Sequence, residues 1–128
     1  MELAKERVRQ RVAFGMPLAQ KSSVQMEIGK CAVQLRAARL LVLSAAHALD
    51  AHGGKSARAQ IAAAKIFVPK TVAEIVDTAM QMHGGAGLSD DFPLARMYAV
   101  ARSLRIADGP DEVHTISVGK MELFRSKL

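Results

Sequence analysis

Residues 56–85, SARAQIAAAKIFVPKTVAEIVDTAMQMHGG, carry the pattern that decides the fold. Apolar side chains recur in this stretch at intervals of three and four residues, the spacing of one face of an α-helix. Ser56 is a suitable residue to start the helix, and Gly84 and Gly85 are suitable to end it. The stripe keeps its phase across Pro69, so we expect this proline to kink the helix rather than end it. The stripe consists of Ile61, Ala64, Val68, Val72, Ile75, Ala79 and Met82.

Another long helix is predicted before this one, from Gln20 onward. Its apolar stripe has the same spacing and stops at His52, where the pair Gly53-Gly54 can cap the helix end. The short connection to Ser56 makes the two helices antiparallel neighbours. The stripe consists of Ile28, Cys31, Leu35, Ala38, Val42, Ala45 and Leu49.

Two shorter helices are predicted after residue 85. The third helix has Pro93 in its first turn, and the fourth begins at Pro110 or Asp111. Asp111 and Glu112 would lie in the first turn of the fourth helix, where the helix dipole favours acids. Four helices with short connections predict an all-α fold, an up-down four-helix bundle. The faces expected to be buried are Leu94, Met97, Ala101 and Leu104 in the third helix, and Val113, Ile116 and Leu123 in the fourth.

The composition predicts one intracellular helical domain. Of the 128 residues, 50% are hydrophobic and 4% are aromatic, which favours close-packed helices over a β-sandwich. Neither a continuous apolar run of about 18 residues nor a signal-peptide core is present, so membrane insertion and export are not indicated. Cys31 is the only cysteine and is expected to be a buried thiol. The net charge of +6 leaves two interpretations open, solvated basic faces or an anionic partner.

Several kinds of site found in helical domains are not indicated. A di-metal carboxylate site needs Glu-x-x-His motifs, and none of the 4 histidines follows a Glu at that spacing. The phosphate-binding Gly-Lys-Ser loop and a Gly-x-Gly-x-x-Gly after a strand are missing too. Nucleic-acid binding is disfavoured because basic and aromatic residues do not alternate as base stacking requires. Arg7, Arg9 and Arg11 lie on a helical segment without a capping residue before it, which predicts that the chain is a piece of something longer.

Residues 81–112, QMHGGAGLSDDFPLARMYAVARSLRIADGPDE, combine two features that point to chemistry. The glycines within residues 84–87 remove side chains at a helix end, so the backbone there can approach a ligand closely. Asp108 precedes a Gly-Pro pair, which fixes the backbone around a lone acid. One element is suited to binding and the other to reaction.

The order of these motifs resembles the C-terminal signature of the acyl-CoA dehydrogenase family. The shared pattern is Gln-x-x-Gly-Gly-x-Gly, then Asp-Phe-Pro at the start of a short helix, then an acid followed by Gly. Residues 11–15, RVAFG, resemble the family's Arg-x-x-Phe-Gly, and ADGPDEVH resembles a branch fused to phosphotransferase-like kinase domains in animals and related bacterial enzymes. The resemblance implies that residues 1–128 are the family's C-terminal helical bundle, without its N-terminal helical and middle β-domains. The matching positions are Gln81, Gly84, Gly85, Gly87, Asp91, Phe92, Pro93, Asp108 and Gly109.

The resemblance implies α,β-dehydrogenation of an acyl-CoA thioester. In the family, the acid before Gly removes the α-proton while the β-hydrogen leaves as hydride to N5 of FAD, and Asp108 stands at that position. Most members have Glu there, so the shorter Asp bears on which acyl chain is preferred. A carboxylate with a pKa near about 4 is a poor base for this proton, so such a site must exclude water. Gly109 resembles the position whose backbone contacts the substrate.

The resemblance also implies an FAD site shared between the subunits of a homodimer or homotetramer. In the family, the Gln-x-x-Gly-Gly segment contacts the adenosine-diphosphate half of an FAD held mainly by the neighbouring subunit. Arg11 resembles the arginine that pairs with the FAD pyrophosphate, Phe14 resembles the aromatic beside it, and Ser22 stands where many members have Gln or His near the cofactor. The helix start after Gly109 resembles the one that lies near the flavin. The implied cofactor-binding residues are Arg11, Phe14, Ser22, Gln81, Met82, His83, Gly84, Gly85, Pro110, Asp111 and Glu112.

Two hypotheses for the function follow. In the first, the chain is part of an acyl-CoA dehydrogenase and lacks turnover alone, because the family holds the flavin ring and shapes the acyl pocket with other domains. The resemblance then implies an electron-transfer flavoprotein or similar acceptor, in a bacterial cytoplasm or in a mitochondrion or peroxisome. In the second, the chain is a non-catalytic helical oligomerisation module derived from that family. Neither hypothesis involves a metal ion or a nucleic acid.

Overall fold

A computed structural model describes residues 1–124, which form five α-helices, one short hairpin and two 3₁₀ turns. The all-α prediction is confirmed. The hairpin and the first 3₁₀ turn connect the first two helices, and the second 3₁₀ turn follows the third helix. In chain order the elements are α1 (Glu2–Gln10), β1 (Val12–Ala13), β2 (Met16–Pro17), a 3₁₀ turn (Leu18–Gln20), α2 (Ser22–Ser56), α3 (Arg58–His83), a second 3₁₀ turn (Gly84–Leu88), α4 (Leu94–Ser103) and α5 (Asp111–Phe124).

Helix α3 is the centre of the fold, because α1, α2, α4 and α5 all pack against it. Pro69 is buried within α3, and the helix continues through it to His83, as the phase of its stripe predicts. Ala4, Ala79 and Leu94 form a core that joins α1, α3 and α4 near the end of α3. Small alanine side chains at these crossings allow the helices to approach closely. The stripe that spans Pro69 therefore belongs to the helix around which the others assemble.

The hairpin between α1 and α2 is a feature that the sequence patterns missed. Strands β1 and β2 pair antiparallel, with Phe14 and Gly15 between them. These two residues have φ values of 56° and 80°, and a two-residue hairpin turn of type I′ requires positive φ at both central positions. Such turns are normally recognised by Asn-Gly or Asp-Gly, and phenylalanine in this conformation is unusual. The usual sequence signal was therefore absent.

The break between the two long helices occurs where the glycines predict it. Helical hydrogen bonding extends α2 to Ser56, but Gly53 has a φ of 74° and a ψ of 170°, which are not helical values. The long straight part of α2 thus ends at Gly53. The next helix, α3, begins at Arg58 rather than at the predicted Ser56.

The apolar stripe of α2 is only partly buried. Cys31 and Ala38 are buried as predicted, whereas Leu35, Val42 and Leu49 are exposed. Among the helices, α2 packs extensively only against α3, so only the residues that face α3 are covered. An 18-residue window of α2 has a mean hydropathy of 1.2 and is 11% buried, and by length and composition alone it would suffice to cross a membrane.

The predicted core residues of α5 are wrong. Val113, Ile116 and Leu123 are 55%, 58% and 78% exposed, and no residue of α5 is buried within the described part of the chain. The reason is that α5 packs substantially on α3 and not on α2 or α4. Helix α5 therefore lies along one side of α3 with its apolar face uncovered.

Candidate functional site

Asp108 lies in the turn between α4 and α5 in an unusual backbone conformation. Its φ is 54°, and that of the following Gly109 is 99°. A positive φ is uncommon for a residue other than glycine, although Asp tolerates it better than most residues. Asp108 is exposed. The turn thus presents an acid at the surface instead of using it in the core.

Lys65 of α3 binds the segment that leads into this turn. Its Nζ donates hydrogen bonds to the carbonyl oxygens of Leu104 and Ala107, at 2.7 and 2.6 Å. The last carbonyls of a helix lack partners within the helix, and a cation there also interacts favourably with the helix dipole. The two carbonyls are 39 and 42 residues away in the sequence, so no local pattern could have predicted this contact.

Arg105 and Asp111 close the turn from its other side. The Nε of Arg105 donates to Oδ2 of Asp111 at 2.6 Å, and the backbone N–H of Asp111 donates to the carbonyl oxygen of Arg105 at 3.2 Å. The resemblance assigns Asp111 to the cofactor, but the structure gives its carboxylate a partner within the chain. Pro110 and Glu112, which are assigned the same role, are exposed beside it. A contact from Asp111 to a cofactor would have to use its other oxygen or its backbone.

His114 supports the backbone of the turn from α5. Its Nε2 lies 3.2 Å from the carbonyl oxygen of Asp108. A Cβ added to Gly109 would lie 3.2 Å from the same Nε2, at a φ of +99° that side chains rarely adopt. Gly109, the predicted substrate-contacting residue, is therefore required by the turn itself.

The glycines at the end of α3 separate into two kinds. Gly84 has a φ of 64° and a ψ of −143°, a region that essentially only glycine occupies. A Cβ added at Gly84 or Gly85 would meet no atom within 4 Å, so a molecule can approach the backbone there. A Cβ at Gly87 would instead lie 2.6 Å from the carbonyl oxygen of Met80. Gly87 is needed for packing, whereas Gly84 and Gly85 leave an open surface.

The side chains of the three residues before these glycines differ in exposure. Gln81 is exposed, and the partly buried Met82 lines with it a surface cavity of about 390 Å³ between α2 and α3. His83 is buried, its Nδ1 lies 2.7 Å from the carbonyl oxygen of Ala79, and its ring packs edge-on against Phe92 at 4.7 Å. The His83 imidazole thus belongs to the core and is not exposed to a ligand.

Arg11, Phe14 and Ser22 are all exposed near the start of α2. Phe14 is 93% exposed, and the Nζ of Lys21 lies 4.9 Å from the centroid of its ring. An aromatic ring with a positive φ and almost no apolar cover stabilises the fold little, and such outliers are typical of ligand contacts. Arg11 forms no ion pair with a carboxylate of residues 1–124. These side chains are available to a ligand or partner.

The candidate residues form two separate groups along α3. The Nη2 of Arg7 lies 3.5 Å from the carbonyl oxygen of His83, which joins the end of α1 to the end of α3. Lys65, which holds the Asp108 turn, precedes Gln81 by sixteen residues of α3, a distance of about 24 Å along the helix. One chain therefore does not bring the two groups together. We call Arg11, Phe14, Ser22 and residues 81–85 the glycine-end group, and residues 104–112 the Asp108 turn.

The chemistry of the glycine-end group fits FAD. Arg11 supplies a forked cationic donor for a diphosphate, and the open backbone at Gly84 and Gly85 supplies the close approach that a diphosphate requires. The exposed ring of Phe14 supplies an apolar surface for an aromatic cofactor. No three His, Cys, Asp or Glu side chains of the described residues lie close enough to hold a metal ion.

Comparison with known proteins identifies the family. Residues 1–123 match the family model of the acyl-CoA dehydrogenase C-terminal domain. The chain is 48% identical over 123 residues to mouse acyl-CoA dehydrogenase family member 10, covering 96% of the chain and 12% of that protein. It is 47% identical over 127 residues to the "Probable acyl-CoA dehydrogenase FadE2" of Mycobacterium tuberculosis, covering 99% of the chain and 31% of that protein.

Solved structures show the same fold. The structure of butyryl-CoA dehydrogenase from Megasphaera elsdenii superposes with a TM-score of 0.88 at 31% sequence identity, covering 95% of this chain and 31% of that one. The chain thus spans less than a third of the length of each of these proteins. It belongs to the family of acyl-CoA dehydrogenase C-terminal domains.

Proposed function

We propose that this chain is the C-terminal part of an FAD-dependent enzyme that introduces an α,β double bond into an acyl-CoA thioester, with Asp108 as the base. The reaction belongs to fatty acid β-oxidation or a related branch of lipid metabolism. Two observations support the proposal: the match of residues 1–123 to the family, and the geometry of the Asp108 turn.

The observation that carries the proposal is the conformation of Asp108. An exposed acid is held at a φ of 54° by contacts from α3 and α5. Holding a residue other than glycine in this region costs about 1–3 kcal/mol, and such conformations are concentrated at functional sites. Lys65 contacts the backbone carbonyl of Ala107, and His114 contacts the backbone carbonyl of Asp108 itself. Neither of these contacts involves the carboxylate of Asp108. The carboxylate is thus positioned and left available to accept a proton.

In the proposed reaction the carboxylate of Asp108 accepts the α-proton of the thioester. The Cα–H bond breaks, an O–H bond forms on Asp108, and the electron pair left on the α-carbon becomes the double bond as a hydride leaves the β-carbon. FAD, when bound, is the acceptor of that hydride. Gly109 leaves the backbone beside the carboxylate without a side chain. Excluding water around the acyl chain makes a carboxylate a stronger base, because its charged form loses hydration.

We assign the cofactor contacts to the glycine-end group and to Pro110, Asp111 and Glu112. The separation of about 24 Å along α3 supports a site to which two copies contribute, in a homodimer or homotetramer. In such an assembly the glycine-end group of one copy would hold the adenosine-diphosphate half of an FAD, and the Asp108 turn of another copy would supply the base. Arg11 would pair with the pyrophosphate and Phe14 would lie beside it, with Ser22 nearby.

We further propose that the chain alone lacks turnover. The Asp108 turn is exposed, and an exposed carboxylate is hydrated and therefore a weak base for a thioester α-proton. In the complete enzyme the electrons would pass to an electron-transfer flavoprotein or a similar acceptor. The proposed compartment is the cytoplasm of a bacterium, or a mitochondrion or peroxisome.

The test is a chimera in which residues 1–128 replace the matching segment of the mycobacterial relative. Acyl-CoA thioesters of different chain length and branching are added without an electron acceptor, and bleaching of the flavin absorbance is recorded. We expect bleaching by at least one thioester, and its loss in Asp108→Asn with thioester binding retained. Asp90→Asn, which changes an exposed acid outside the turn, is the matched control and should bleach normally. Bleaching that survives in Asp108→Asn would overturn the proposal.

A second candidate function is a non-catalytic oligomerisation module. The exposed apolar residues of α2 and α5 favour it, because uncovered apolar faces are typical of interfaces between chains. Sedimentation of the isolated chain, together with the flavin bleaching of the chimera described above, separates the two functions. A stable oligomer whose chimera binds FAD but is bleached by none of the thioesters would support the module.

A further inference from the structure

We propose that Lys65 is a positioning residue for Asp108, acting through the backbone of the turn and not on the substrate. This inference rests on the proposed function, in which Asp108 is the base. It concerns a lysine on the central helix that lies 43 positions before the acid in the sequence.

The hydrogen bonds of Lys65 lie at the two ends of the segment that carries the chain from α4 to Asp108. Leu104 directly follows the last residue of α4, and Ala107 directly precedes Asp108. The Nζ of Lys65 bonds the carbonyl oxygens of both residues, at 2.7 and 2.6 Å. One ammonium group therefore ties both ends of the segment to the central helix α3.

The bond to Ala107 acts directly on the conformation of Asp108. The carbonyl of Ala107 and the backbone nitrogen of Asp108 belong to the same planar peptide unit. Fixing that oxygen fixes the plane from which the φ of Asp108, 54°, is measured. Together with that φ, the plane sets the direction of the Cα–Cβ bond of Asp108, from which the carboxylate extends.

The other contacts of the turn do not engage the carbonyl of Ala107. The backbone N–H groups of Ile106 and Ala107 donate to the carbonyl oxygen of Ser103, at 2.9 and 3.0 Å. Arg105 pairs with Asp111, and His114 contacts the carbonyl of Asp108 itself. Lys65 is the side chain that bonds the carbonyl of Ala107 within the described residues. Hydrogen bonds from a charged donor are about twice as strong as those between neutral groups. Removing Lys65 should therefore let the peptide between Ala107 and Asp108 rotate, while the Arg105–Asp111 pair and the His114 contact still hold the turn closed.

A released turn should affect the rate of reaction more than substrate binding. Displacing a reacting group by about 1 Å costs on the order of 100-fold in rate. In Lys65→Met, which keeps the length of the side chain but removes the charge, we expect kcat to fall by about 10- to 100-fold while KM changes by less than about 2-fold. Lys65→Arg, which can donate to two carbonyls, should recover most of the loss.

The experiment uses the chimera described above, with steady-state kinetics on the thioester that it oxidises fastest. Lys70→Met is the matched control, because Lys70 is exposed on the same helix and forms no hydrogen bond or ion pair with residues 1–124. In parallel, hydrogen exchange of the Ala107 amide, which donates to the carbonyl oxygen of Ser103 at 3.0 Å, is measured in the isolated chain. We expect faster exchange in Lys65→Met and unchanged exchange in Lys70→Met.

The outcomes separate this inference from the proposed function. A chimera that loses activity in Asp108→Asn but keeps full kcat in Lys65→Met would overturn the role of Lys65 and leave Asp108 as the base. Activity that survives in Asp108→Asn would remove the proposed function, and the role of Lys65 with it. A larger change in KM than in kcat would also contradict a positioning role. If Lys65→Met unfolds, Lys65→Gln takes its place, with the same expected division between kcat and KM.

Discussion

Alanine substitution should destabilise the chain at Gly87 and hardly at all at Gly85, although both glycines lie in the same 3₁₀ turn. A Cβ at Gly87 would lie 2.6 Å from the carbonyl oxygen and 2.9 Å from the Cα of Met80. Real Cβ atoms do not approach backbone that closely, so the end of α3 or the turn must move. A Cβ at Gly85 meets no atom within 4 Å, and this glycine does not have a positive φ.

The magnitude follows from the cost of forcing one extra carbon into a packed region. Such overpacking lowers the free energy of unfolding by about 1–3 kcal/mol, and contact with backbone places Gly87→Ala near about 2 kcal/mol. For a chain of 128 residues this corresponds to a Tm lower by about 7 °C. Gly85→Ala should lower the free energy of unfolding by less than about 0.5 kcal/mol, as surface substitutions usually do. Thermal unfolding of the isolated chain, followed by circular dichroism, measures both values.

The same pair of variants tests the proposed cofactor contact. In the chimera, Gly85→Ala should weaken FAD binding because its methyl group occupies the space through which a pyrophosphate would approach the backbone. A fluorescence titration with FAD measures this loss. The reasoning is refuted if Gly87→Ala unfolds at the same temperature as the unsubstituted chain, or if Gly85→Ala is the less stable of the two.

Three further predictions concern the Asp108 turn and the exposed aromatic ring. Gly109→Ala should lower the free energy of unfolding by about 1–3 kcal/mol, because it combines a strained φ with contact to His114; urea unfolding that matches the unsubstituted chain would contradict this. Arg105→Met and Asp111→Asn, alone and combined, form a double-mutant cycle of unfolding free energies. The cycle should give a coupling free energy of about 0.5–3 kcal/mol, since the two partly buried side chains meet at 2.6 Å. Additive effects would mean that the pair does not stabilise the turn. Phe14→Ala should leave the Tm within about 2 °C, because Phe14 is 93% exposed. The same substitution should weaken FAD binding in the chimera. A large loss of Tm with unchanged FAD binding would assign the ring to folding.

Helices and their ends were predictable because their signals are local. The stripe across Pro69 predicted a helix that continues through the proline, and Gly53 predicted the break in α2, since both depend on residues a few positions apart. The hairpin at Phe14 was missed because its sequence does not carry the usual signal of a hairpin turn. Its conformation is local, but phenylalanine is not a residue that marks a positive φ.

Burial could not be predicted from helical stripes alone. A stripe shows which face of a helix is apolar, but not whether another helix covers it. Val113 and Ile116 have the correct spacing and are exposed, because α5 packs on one side of α3 and has no second neighbour of substance in the described chain. Contacts between distant parts of the chain were equally unpredictable at the candidate site. The acid at position 108 was recognisable from its motif, whereas its support by Lys65 depends on contacts across about 40 residues.

The central claim is that the carboxylate of Asp108 takes the α-proton of an acyl-CoA, and exchange of that proton with solvent tests it most directly. The FAD-loaded chimera is incubated in deuterium oxide with an acyl-CoA, and uptake of deuterium at the α-carbon is followed by mass spectrometry. The account predicts enzyme-dependent uptake that falls by about 100-fold or more in Asp108→Asn and is unchanged in Asp90→Asn. Uptake at an equal rate in Asp108→Asn would show that another group removes the proton.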